Sequence, residues 1–252
     1  MNKSESTIIV STSPGIVELN PNFKEYDKLV RENPHPSNTT ENIKYFYTCK
    51  EDQIFLKYAM NHIQKFSREI TSDNVLVLVH PFYSFLEFSN MFFNNHKLII
   101  IESYVNNLLN IFKLNYESKL NLQIVVMETL RHYAAGSNIL LQNGLVDKVI
   151  ITPYDSGFMN NSLYKEELSN RSLYFGGGFN GSCLTSSVDE LVSLSPSSSF
   201  MGVTELCLEH PNLMKYTGIH PIGIDFHPFL LRVSNLPMIS LEKFYDTFKK
   251  KK

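Results

Sequence analysis

Cys183, His80 and Asp155 are of types that together can run nucleophilic chemistry: a thiol to attack, an imidazole to exchange protons, and a carboxylate to orient or assist. Cys183 has the most telling context. It stands in RSLYFGGGFNGSCLTSSVDELVSL, residues 171–194, which reads as a short apolar strand, a loop with four glycines, and a helix whose first turn carries the thiol. The positive end of the helix dipole favours thiolate. The same loop supports a second chemistry, because Gly176, Gly178 and Gly181 fit G-x-G-x-x-G, in which small residues let a phosphate approach the backbone. Gly177, Gly178, Asn180 and Gly181 are the expected ligand contacts on either reading, since first-turn N–H groups face whatever lies ahead of the helix.

Positioning such groups requires a scaffold, and the hydrophobic pattern predicts one. VLVLV (75–79), KLIII (97–101), LQIVVM (122–127), DKVIIT (147–152), SLYF (172–175) and FMGVTEL (200–206) each read as a strand. Several are unbroken aliphatic runs, as expected where both faces of a parallel sheet are covered. Helical stretches at 83–94, 104–117, 129–143, 160–169 and 184–194 separate them, and an amphipathic helix over 51–69 precedes them. The expected fold is a three-layer α/β/α domain with a mainly parallel, doubly wound, Rossmann-like sheet of about six strands. Residues 1–45, broken by prolines, read as an arm packed on the main body; 46–252 is the domain, with an irregular extension from about 208 and a terminal helix in LEKFYDTFKK.

In an open parallel sheet the ligand crevice lies beyond the carboxyl ends of the strands. The residues just past each predicted strand are therefore the site candidates: His80; Glu102; Glu128 with His132 one helical turn later; Tyr154, Asp155 and Ser156; and the glycine loop with Cys183. Loops after strands are polar in any protein, so each has a plainer alternative. His80 could simply bond a neighbouring loop. Glu128 and His132, spaced i, i+4, would need further ligands to hold a metal, so a surface or capping role is expected and no metal site is assigned. Cys49 and Cys207 read as small apolar fillers.

Composition bounds the function classes. With 43% hydrophobic and 19% charged residues the 252-residue chain is an ordinary globular protein, long enough for a large core. A net charge of −2, from 23 basic and 25 acidic residues, supplies no field for nucleic acid or an anionic membrane. Three scattered cysteines, without the basic and apolar stretches of a secretory signal, point to free thiols in a reducing, cytoplasmic setting. The expected partner is a small-molecule ligand, with self-association left open and no cofactor required.

Two patches resemble the isochorismatase-like cysteine hydrolases, a family with a six-stranded parallel sheet and an Asp-Lys-Cys triad. The glycine strand-turn before Cys183 and SVDEL after it look like the family's nucleophile turn. VIITPYDSGF resembles the segment in which the catalytic lysine precedes a Ser-Ala-Phe-like triplet, here Ser156-Gly157-Phe158, and VLVLVHPFYSFLE resembles the first strand, which normally ends in aspartate. His80 stands where that aspartate would be and Thr152 roughly where the lysine would be, and an extra strand-helix unit is expected between the patches. The resemblance implies a hydrolase-like enzyme with Cys183 as nucleophile; with the family's aspartate and lysine unmatched, His80 and Asp155 are the acid/base groups expected in their stead. Two alternatives remain: a nucleotide or phosphometabolite binder using the Gly176–Gly181 loop, or a non-catalytic relative of the enzymes.

Overall fold

The computed structural model describes residues 50–81, 95–152, 167–180, 183–194, 198–209 and 236–250. Its six strands are β1 (Asn74–Val79), β2 (Gln123–Thr129), β3 (Lys148–Thr152), β4 (Ser172–Asn180), β5 (Ser199–Glu209) and β6 (Met238–Ile239). They form one sheet in the order β3-β2-β1-β4-β5-β6, and every neighbouring pair is parallel. This is the doubly wound order of Rossmann-like folds, with the direction of winding reversing between β1 and β4.

The aliphatic runs form the centre because their alternate side chains serve two cores. Leu76 and Leu78 of β1 face one core, Val75, Val77 and Val79 the other, and all five are fully buried. The first core is closed by helices α1 (Lys50–Phe66) and α2 (Asn95–Tyr116), through Ala59 and Ile63 and through Tyr104, Leu108, Ile111 and Phe112. Helix α6 (Leu241–Phe248) joins it with Phe244 and Phe248, whose rings pack edge-on against Tyr174 of β4. The opposite core is covered by α5 (Cys183–Leu194) through Leu184, Val188 and Leu191. Helices on both faces give the expected three layers.

Polar clamps tie the amino ends of the strands together. Arg171 donates to the carbonyls of Ile70, Ser72 and Glu167. The Asp147 carboxylate accepts from Ile124 N–H at 2.7 Å, from Asn115 Nδ2 at 3.2 Å and from Arg68 Nη1 at 3.0 Å. These contacts lie at the amino end of the sheet, opposite the carboxyl rim.

Two sequence expectations are overturned here. KLIII is not a strand: residues 97–101 lie inside α2, so among the described residues no extra strand stands between β1 and β2. A short β-branched run carries no period of its own, whereas buried Tyr104, Leu108, Ile111 and Phe112 continue it with helical spacing. Glu102 consequently lies within α2 instead of past a strand end. The sixth strand is instead β6, two residues that pair with Gly202 and Val203 of β5, so residues 236–250 belong to the sheet and its core. Among the described residues no helix is long and apolar enough to cross a membrane. The 1–45 arm lies outside the described residues.

Candidate functional site

The reversal of winding makes the carboxyl ends of β1 and β4 the natural crevice, and the register places candidate residues on both sides of it. Val79, the last residue of β1, pairs with Gly177 of β4. His80 follows Val79 directly, and Cys183 opens the helix after β4.

His80 is held from three directions. Its φ of +43° is the left-handed region, which residues other than glycine seldom adopt, although Asn, Asp and His do so more often than most, and it costs on the order of 1 kcal/mol. Its backbone N–H donates to Met127 O at 2.7 Å, extending the β1–β2 ladder by one bond. Its ring Nε2 lies 2.7 Å from Thr152 Oγ1 at the end of β3, so the imidazole reaches over the end of β2. The residue is fully buried, and burial pushes the imidazole down to about 3, so it is neutral at physiological pH.

At the end of β2 stands a second enclosed group. Glu128 is fully buried as the penultimate residue of the strand, and His132, one turn later, is equally enclosed. His132 Nδ1 is 3.7 Å from Glu128 Oε1 and 2.7 Å from Thr129 Oγ1. Thr129 caps the short helix α3 (Leu130–His132), its hydroxyl accepting from His132 N–H at 3.3 Å. A π-helical turn, Tyr133–Ser137, follows before α4 (Asn138–Gln142), where one continuous helix over 129–143 was predicted. The expected surface or capping role of Glu128 and His132 is therefore corrected: the cap is Thr129, and both ionisable groups are interior. Among the described residues no cluster of three or more His, Cys, Asp or Glu side chains could hold a metal.

The glycines prove to be strand residues. Gly176, Gly177 and Gly178 all lie within β4, which runs to Asn180, where a loop was expected; residues 181–182 lie outside the described residues. Gly177 has a φ of +106°, and a Cβ there would sit 1.9 Å from Val79 O. A Cβ on Gly176 would meet Leu206 Cβ at 2.8 Å and Leu78 Cδ2 at 3.0 Å. Close packing of β4 between β1 and β5 thus demands glycine at both positions, so Gly176 and Gly177 have a structural reason independent of any phosphate.

Cys183 is the first residue of α5, and Ser187 Oγ donates to its carbonyl at 3.0 Å. Its side chain belongs to the core beneath α5, with Val79, Met127, Leu184 and Cys207, and the residue is 3% exposed. Cys207 is a buried filler as expected; burial, then the Glu205 charge, pushes its thiol up to about 12, partly offset by its bond to Val203 O. Glu205 has a structural task as well. Between Phe175/Gly202 and Gly177/Cys207 the β4–β5 register shifts, and the Glu205 carboxylate accepts Leu241 N–H at 2.7 Å, at the start of α6.

Of the predicted site residues, the structure gathers His80, Glu128 and His132 at one rim of the sheet, beside Gly177. It places Asn180 at the end of β4, opposite Glu209. Asp155, Tyr154, Ser156 and Gly181 lie outside the described residues. Thr129 and Tyr104 are additions. A threonine directly before an apolar-led turn is a readable N-cap signal; the contact of Tyr104 OH with Pro81 O, 3.4 Å, depends on α2 crossing β1 and has no local signature.

No family model matches the chain, and no curated protein does. A search of solved structures finds similarity to an isochorismatase-like hydrolase from Alkaliphilus metalliredigens, with 12% sequence identity, 69% of this chain and 98% of that chain covered, and a TM-score of 0.45.

Proposed function

We propose that the chain is a small-molecule enzyme of hydrolase-like chemistry, working at the β1/β4 switch point with Cys183 as nucleophile. The observation that supports this most is the pairing of Val79 with Gly177, which brings the His80 corner and the β4–α5 junction to the same end of adjacent strands. Ligand crevices of open parallel sheets form at such a place.

In this reading the thiol, at the first position of α5, is favoured as thiolate by the helix dipole and attacks the carbonyl carbon of a small amide or ester; the C–N or C–O bond breaks, the protonated amine or alcohol leaves, and water then cleaves the thioester to the acid and the free thiol. First-turn N–H groups of α5 stabilise the developing oxyanion. The neutral state of His80 changes its role from the one sequence suggested. An imidazole pushed down to about 3 is a poor resting acceptor for a thiol proton. His80 therefore serves as a hydrogen-bonding wall residue fixed by Thr152, and Asp155, three positions beyond Thr152, is the proposed proton-handling or substrate-orienting group.

The test is turnover on a panel of small amides and esters by wild type and Cys183→Ala. Loss of hydrolysis in the variant is expected; undiminished turnover overturns the assignment. A non-catalytic relative is the second reading, and it draws on the enclosure of Cys183 among apolar side chains, 3% exposed. That reading predicts no hydrolysis by either protein.

A further inference from the structure

Glu128, Thr129 and His132 enclose a carboxylate and an imidazole together at the carboxyl rim, and the proposed chemistry leaves both unused. Glu128 Oε1 accepts Thr129 N–H at 3.3 Å and lies 3.7 Å from His132 Nδ1, and both contacts favour the ionised carboxylate. Burying either charge alone is strongly unfavourable, whereas the two together can hold one proton with no net charge. Thr129 fixes the arrangement: its hydroxyl lies 2.7 Å from Nδ1 while accepting the backbone N–H of the same histidine. The π-helical turn that begins at Tyr133 is a second, independent feature, since such turns cost regular helical bonding and occur often at functional sites.

We infer that Glu128 and His132 form a coupled ion pair that holds one proton between them, and that this pair is an acid–base group of the carboxyl rim in addition to the proposed Asp155. The role in a reaction rests on the proposed function; the sharing of the proton does not. The titratable groups packed around the pair leave the proton to it. Tyr104, from α2, stays a phenol, raised first by burial and then by the charges of Cys207 and Glu128. His80, whose N–H bonds Met127 O beside Glu128, stays neutral. His62 of α1 is engaged at Nδ1 by Tyr133 OH, 2.6 Å away in the π turn.

The experiment is NMR of the full, unliganded chain carrying 15N-histidine and 13C-carboxyl glutamate, titrated with pH, for wild type and Glu128→Gln. The result expected is that His132 is an imidazolium at neutral pH, that the Glu128 carboxyl and His132 ring signals move at the same apparent titration points, and that Glu128→Gln lowers the His132 titration by at least about one pH unit, tenfold in proton affinity. A neutral His132 at neutral pH in wild type, or an unchanged His132 titration in Glu128→Gln, overturns the inference. Should the variant not fold, the wild-type co-titration decides alone. Since no turnover or thiol labelling enters, failure here is distinct from failure of the Cys183 assignment.

Discussion

His80 Nε2 and Thr152 Oγ1 meet 2.7 Å apart above the end of β2, joining the carboxyl ends of β1 and β3 across the strand between them. Because both residues are fully buried, the bond is shielded from water, and its loss is not compensated by solvent. Thr152→Val keeps the shape and deletes the hydroxyl. A loss of about 1–3 kcal/mol is expected in urea unfolding, with Thr152→Ser restoring most of it; no difference between Val and wild type would contradict the contact.

The state of His80 makes a pH prediction with a definite sign. Between its ordinary value of 6.5 and its folded value of about 3, the unfolded chain binds a proton on this residue that the folded chain does not. Acid therefore favours unfolding: the cost is absent above about pH 6.5 and grows as pH falls towards 3, by up to about 1.4 kcal/mol per pH unit from this group. His80→Asn, whose side chain tolerates the left-handed backbone, should flatten the fall in stability between about pH 6 and 4. His62, shifted down by burial first, acts in the same direction in both proteins and cancels in the comparison. Parallel pH profiles would count against a neutral His80.

Gly177 tests whether the glycine run serves the sheet. With φ at +106° and Val79 O 1.9 Å from the position of an added Cβ, Gly177→Ala cannot be accommodated without parting β1 from β4. A loss of at least about 3 kcal/mol is expected, visible as a large drop in melting temperature. A mild effect would return the run to a ligand-cradling role.

Glu205 is expected to act through α6 and not through a ligand. Its carboxylate accepts Leu241 N–H at 2.7 Å and meets the positive end of the helix. Glu205→Ala should lower stability by about 1 kcal/mol and expose Tyr245 and Phe248 to faster hydrogen exchange in their backbone amides. Unchanged exchange in α6 would remove it from that role.

The layered sheet was legible because Leu76, Leu78 and the intervening valines feed two cores, and a parallel strand covered on both faces needs an unbroken aliphatic run. KLIII misled for the same reason in reverse: four apolar residues in a row satisfy a strand and a buried helix equally, and the Tyr104 to Phe112 spacing decides between them. β6 carried no pattern at all, being two residues after a proline, held by Gly202 N–H donating to Pro237 O. Among the site candidates, the rim position of His80 followed from strand ends alone. The burial of Glu128 and His132 did not, because it depends on packing between elements distant in sequence. The glycines were visible as a cluster, but their partner, the Val79 carbonyl, is nearly a hundred residues away in sequence.

The central claim is that Cys183 is a nucleophile at the β1/β4 switch point, and the rate of thiol modification in the native protein tests it most directly. With a mild alkylating reagent and peptide mapping by mass spectrometry, Cys183 is predicted to react in the folded state. Cys207, pushed up to about 12 by burial, should stay unmodified until the protein unfolds. If Cys183 instead proves as inert as Cys207, reacting only on unfolding, it is a packed core residue and the account fails.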